Sequence, residues 1–254
     1  MKKIVAMFLA MLMLTTTFAA LAEGTRTLVM ATNASFPPYE YYDDNGAIVG
    51  IDAEIAGAIA AYLGYQFTID DMDFDAIINA VDSGKADFGL AGMTVTETRL
   101  EQVDFSDSYA TGVQVIIVPE GSALTSPDDL FVEGAHHIVG VQLSTTGDIY
   151  ASEEIEDAGF GTVERYPNGN EAVLALMQGK IDCVIIDNEP AKAYVAANPG
   201  LKILDTEYAI EDYAACFKKG NLELLEQFNN ALAALIEDGT IPAIIEKYIP
   251  SNVE

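Results

Sequence analysis

The sequence predicts an α/β protein of two lobes, each a mostly parallel sheet flanked by helices, with a two-strand hinge between them. Three observations predict it. Short apolar runs alternate with segments of helical period, one helix–turn–strand unit recurs at a constant offset, and the chain runs extended at two places.

The first 22 residues stand apart. Met1-Lys2-Lys3, an apolar run from Ile4 to Leu14, a threonine stretch and Ala20-Leu21-Ala22 form the charge, apolar core and small-residue site of a secretory signal peptide. Cleavage is expected after Ala22. The apolar run is about half of what a bilayer span needs, and no cysteine stands at the cleavage point to take a lipid, so an exported, unanchored protein is expected. Its loss removes Lys2 and Lys3 and takes the formal charge from −28 to −30. So negative a surface repels phosphate backbones and argues against nucleic acid as a partner.

After the signal, Leu28–Ala31 reads as a strand and 51–63 as a helix with Ile55, Ile59, Tyr62 and Leu63 inward, stopped by Gly64. Gln66–Ile69 is the next strand, Phe74–Ser83 a helix with Ile77, Ile78 and Val81 inward, and Phe88–Ala91 another strand. The internal echo follows. The segment from Asp75 through Gly84-Lys85-Ala86-Asp87 into an apolar strand is matched, 95 residues on, by Asn170 through Gly179-Lys180-Ile181-Asp182 into a second one. Two similar lobes account for it; chance likeness of two βα units is the competing explanation. The extended stretches Val113–Val118 and Ile210–Lys219 mark the crossings. Lobe 1 is then 23–112 plus 214–254, lobe 2 is 119–208, and 113–118 with 209–213 are the hinge segments. Two helices, Asn221–Ile236 and Ile241–Tyr248, return to lobe 1. Cys183 and Cys216 sit in apolar runs, as a bridge or as two buried thiols. The His136-His137 pair reads as a loop end, and neither a metal nor a cofactor is expected.

Ligands of open α/β sheets sit beyond the carboxyl ends of the parallel strands. Four such ends carry polar or permissive residues: Thr32-Asn33, Gly92-Met93-Thr94, Gln142 to Thr146, and Asp187. Arg99 offers a fork suited to a carboxylate; alternatively Thr96 caps a short helix and Arg99 pairs with Glu97, Asp104 or Asp107 at the surface. Asp187, ending an apolar strand, either meets a cation such as an α-ammonium group or caps the next helix. Ser144-Thr145-Thr146-Gly147 offers N–H groups and hydroxyls to an anion, or is an ordinary cap. Phe36, Tyr39, Tyr41, Tyr42 and Phe74 form a pocket wall or simple packing.

Seven segments, in order along the chain, resemble the periplasmic solute-binding proteins of family 3, the amino-acid receptors of ABC importers. They are Thr32–Tyr41, Gly50-Ile51-Asp52-Ala53-Glu54-Ile55, Gly84–Asp87, Ala91–Arg99, Asp104–Asp107, Gly140–Gly147 and Asp182–Asp187. The resemblance implies the periplasmic-binding-protein-like fold and capture of an L-amino acid for membrane permease subunits, by a monomer without catalysis. It implies that Arg99 clamps the α-carboxylate, with Thr94 and with N–H groups and hydroxyls near Thr145 and Thr146. Asp187 and the Gly92 carbonyl, with Thr94, take the ammonium. Phe36 and Phe74 enclose the side chain, and Asn33 and Gln142 lie where specificity is set. Three positions depart from the pattern. Ala53 replaces a larger residue, and Asn33 replaces an Asp found in several members. Ser144 stands where Gly is frequent, which puts the Thr145 contact in doubt if that backbone needs a positive φ. A cleft enzyme such as a dehydratase is the alternative, but the strand ends offer no histidine or lysine for proton transfer.

Overall fold

In a computed structural model of the chain, residues 26–205 and 208–250 are described, so the expected signal peptide at 1–22 lies outside them. The chain builds β1 (Thr27–Thr32), β2 (Ser35–Phe36), β3 (Glu40–Tyr42), β4 (Ile48–Val49), α1 (Ile51–Leu63), β5 (Gln66–Asp71), α2 (Ile77–Asp82), β6 (Phe88–Gly89), α3 (Glu97–Leu100) and β7 (Val103–Phe105). The long strand β8 (Ala110–Pro119) then crosses into a second unit. There β9 (His137–Gln142), α4 (Thr146–Ala151), β10 (Gly161–Tyr166), α5 (Gly169–Met177), β11 (Cys183–Asp187), α6 (Asn188–Ala197) and β12 (Leu201–Ile203) follow. The return runs through β13 (Ala209–Tyr213) to β14 (Cys216–Lys218), α7 (Leu222–Glu237) and α8 (Thr240–Tyr248).

Two sheets result. The first has the order β5-β1-β6-β14-β7 and the second β10-β9-β11-β8-β12, with β13 also on β8. Within each, the strands of the βα units are parallel: β1 with β5 and β6, and β9 with β10 and β11. The antiparallel pairs come from the crossing strands, β14 in lobe 1 and β8 in lobe 2. The sheets are therefore mixed at the points where the chain enters and leaves.

The echo is structural as well. Gly84 and Gly179 both take positive φ, 75° and 68°, closing their helices without steric cost. The next aspartates then do the same work. Asp87 N donates to Val29 O and Asp87 Oδ2 accepts from Val29 N; Asp182 pairs with Ile138 in the same two ways.

The crossing lies earlier on the first strand than 113–118. Val115–Val118 are buried on both faces and bonded to β11 and β12, as an uninterrupted apolar run in a covered sheet should be. Side by side between the lobes run Ala110–Gly112 and Glu211–Tyr213. Gly112 is required there, since a Cβ would come within 2.3 Å of the Tyr213 ring. Helices α7 and α8 pack on α1, returning the C-terminal segment to lobe 1. On α1, Ile55 and Ile59 are buried as the periodicity predicts, but Tyr62 is 57% exposed, because it lies toward the edge of the buried face. The helix expected at 74–83 opens instead as a 3-10 turn over Phe74–Ala76. Cys183 and Cys216 are free, buried and in different sheets, and burial raises both thiols, that of Cys216 to about 12. No helix among the described residues is long and apolar enough to cross a membrane.

A candidate amino-acid cleft between the lobes

All four polar strand ends converge. Asn33, Phe36, Phe74, Gly92, Thr94, Arg99, Gln142, Thr145, Thr146 and Asp187 line one cavity, together with Glu40 and Ala91. The lobes meet across it. Gln142 Nε2 donates to Asn33 Oδ1 at 3.0 Å, Arg99 Nη2 to Ser144 O at 3.0 Å, and Tyr194 Oη to Ser35 O at 2.6 Å.

Lobe 1 positions its part through the turn after β6. Gly92 has φ 52°, and a Cβ on it would stand 2.8 Å from Phe36 Cε1, so the glycine lets the aromatic ring lie against the loop. Asp52, in the first turn of α1, accepts from Gly92 N and from Tyr109 Oη, each at 2.8 Å. Thr96 caps α3 by accepting from Arg99 N. The cap reading is therefore right for Thr96, while surface pairing of Arg99 is not found. The Arg99 side chain turns inward, 5% exposed, donates to Thr94 O at 2.7 Å, and lies 5.3 Å over the Phe74 ring. Among the described residues no carboxylate forms an ion pair with it; Asp104 pairs with Lys219 instead.

In lobe 2, Thr145 is an N-cap, accepting from Asp148 N while its hydroxyl donates to Gln142 O. Ser144 does take a positive φ, 63°. Asp187 occupies the cap position of α6 without making a side-chain cap bond; the Tyr213 hydroxyl donates to it. Burial first, and then Glu211, push its carboxyl well above the usual range, a cost that a cation beside it relieves.

Four residues at the cleft escaped sequence reasoning. Glu40 is fully buried, and burial together with the neighbouring Asp52 raises its carboxyl well above the usual range. Asp52 and Tyr213 stand behind the lining. Glu211, on β13, accepts at Oε2 from Thr94 and Thr146, each at 2.9 Å, and from Gln114 at 3.2 Å. The available signal for Glu211 was strand alternation, which places it on the face of Tyr213. No group of three or more metal-ligating side chains occurs among the described residues.

Two mixed α/β lobes joined by two adjacent strands, with a buried arginine and a buried aspartate on one cleft, define a hinged solute-binding protein. The comparisons specify the family. Residues 28–251 match the model for bacterial extracellular solute-binding proteins, family 3, and the chain belongs to that family. It is 33% identical over 229 residues to the arginine-binding extracellular protein ArtP of Bacillus subtilis, covering 89% of this chain and 87% of that protein. Among solved structures, an ancestral arginine-binding protein bound to arginine superposes with a TM-score of 0.82 at 43% identity, over 88% of this chain and 98% of that one. The ancestral amino acid-binding protein AncCDT-1, a precursor of cyclohexadienyl dehydratase, superposes at 0.79 with 33% identity, over 87% and 95%.

Proposed function

We propose that the chain captures a free L-amino acid between its lobes and delivers it to the permease subunits of an ABC importer. The observation that carries this reading is Arg99. A guanidinium buried against carbonyls, with no carboxylate paired to it, is a costly arrangement that a ligand carboxylate completes. Asp187, on the same cavity, and the Gly92 carbonyl supply the complementary place for an ammonium group. Phe36 and Phe74 enclose the side chain, and Asn33 with Gln142 read its polar end. Thr145 contributes less than its spacing suggested, because its hydroxyl is engaged in the cap.

The lobes open and close about the paired segments Ala110–Gly112 of β8 and Glu211–Tyr213 of β13. The protein acts as an exported monomer released after Ala22. L-arginine heads the ligands to test, on the strength of the relatives. The reading is of a binding protein and not of an enzyme: a dehydratase needs a proton-transfer group at the reacting carbon, and Asp187 is committed to the ammonium. Calorimetry over a panel of amino acids, beginning with L-arginine, should find a tight ligand with unsubstituted α-amino and α-carboxyl groups. No ligand in the panel, or turnover of one, would refute it.

A further inference from the structure

Glu211 is carried on a crossing strand, belongs to neither lobe's strand ends, and is 4% exposed. Its Oε2 takes a hydroxyl from each lobe, Thr94 from lobe 1 and Thr146 from lobe 2, with Gln114 Nε2 as third donor. A hydroxyl has one proton to give and two lone pairs with which to accept. Both threonine protons point at Glu211, so what these side chains offer the cavity is lone pairs. Thr146 has one of them already engaged by Gln114 at 3.4 Å. The Thr145 proton is likewise bound, to Gln142 O at 2.8 Å. None of the three hydroxyls of the cleft is left to donate to an anion.

We infer that Glu211 is a positioning residue for specificity, one that turns Thr94 and Thr146 into acceptors and so makes this part of the cleft select an ammonium group rather than a carboxylate. The inference rests on the amino-acid reading above and divides its labour. The carboxylate is left to Arg99 and backbone N–H groups, while the ammonium meets Thr94, Thr146 and Asp187, within the field of the Glu211 charge. Glu211 itself touches no ligand.

The test is E211Q in the full mature chain, titrated with L-arginine, with agmatine, which lacks the carboxylate, and with δ-guanidinovalerate, which lacks the ammonium. A glutamine keeps the shape but supplies an amide that donates, so a threonine hydroxyl turns round and can donate to an anion. The preference of the wild-type protein for L-arginine over δ-guanidinovalerate should then fall roughly tenfold, the worth of about one charge-assisted hydrogen bond. A merely structural role would weaken all three compounds by the same factor, and that result overturns the inference, as does no change at all. A second readout needs no ligand: the infrared difference between wild type and E211Q should show Glu211 as an ionised carboxylate. A protonated band would mean that Glu211 donates to one threonine, and would overturn the inference too. If the wild-type protein binds none of the three compounds and no other amino acid while that carboxylate band is present, the amino-acid reading and the selectivity built on it fail, and the orientation of the hydroxyls stands.

Discussion

Each lobe braces its site loop with a buried carboxylate on a backbone N–H, but in opposite surroundings. In lobe 1, Asp52 takes Gly92 N, with the buried Glu40, its carboxyl raised above the usual range, beside it. In lobe 2, Asp148 takes Ser144 N at 2.9 Å and Arg165 Nε at 2.9 Å, and Arg165 also reaches Glu156. Each lobe thus has one arginine close to its loop. Lobe 2 commits its own to the scaffold, whereas lobe 1 leaves Arg99 without a carboxylate and accepts the cost of an uncompensated acid at Asp52. The difference separates a charge that binds from a charge that braces. The loops differ in backbone too: each has a residue at positive φ, glycine at Gly92 and a strained serine at Ser144.

The largest expected effect would break that division at its centre. R99A should weaken binding of the best ligand roughly a hundredfold, the scale for removing one partner of a buried charged contact. R165A should lower the melting temperature and leave affinity within about threefold, since its pairs are partly exposed. Equal losses of affinity in isothermal titration would erase the distinction.

The second effect is in pH. Burial, opposed by hydrogen bonds from Gly92 N and Tyr109, pushes Asp52 from its ordinary 3.8 up to about 6. Between those values the native state holds a proton that the unfolded chain has released. The stabilisation is present below the ordinary value and is lost as pH rises through about 6, with Glu40 adding in the same direction. Urea unfolding should therefore show stability falling by about 2 to 3 kcal/mol as the pH rises from the ordinary value of 3.8 to a little above 6, and then levelling off. D52N should flatten that slope; an unchanged slope would move its origin elsewhere.

Smaller effects sharpen the contrast between the loops. S144G should stabilise the chain by about 1 kcal/mol in the same assay, because left-handed backbone costs a residue with a Cβ and costs glycine little. G92A should destabilise, its Cβ meeting Phe36. Smallest and most symmetric are D87N and D182N. Each weakens a bond to a backbone N–H in the same turn of the two lobes at a cost of about 1 kcal/mol, and D87N also loses its exposed pair with Arg26. In the R26A background, where that pair is gone, unequal costs would show that the repeated turns are not energetically equivalent.

Much of this was legible from sequence because it rests on local rules. The period of Ile51–Leu63 and the left-handed stop at Gly64 gave the helix its bounds. The Gly-Lys-x-Asp echo gave two lobes, and the carboxyl ends of parallel strands gave Asn33, Gly92, Thr94, Gln142, Thr145, Thr146 and Asp187, which share one cavity with Phe36, Phe74 and Arg99. What resisted reading lies on the crossing strands, where polarity runs against expectation. In β13, Ile210 is 69% exposed while its neighbour Glu211 is buried. Alternation shows that the two face opposite ways and is silent on which way is in.

By itself, then, the sequence determined the elements, their pairing into two lobes and the strand ends where a ligand belongs, since periodicity, glycine turns and hydrophobic runs act over a few residues. The tertiary structure decided the charges. Whether Arg99 meets Asp104 or a cleft, whether Glu40 is ionised, and where Glu211 points depend on which groups separated by tens of residues exclude water together, and only the closed packing of two lobes on two strands fixes that.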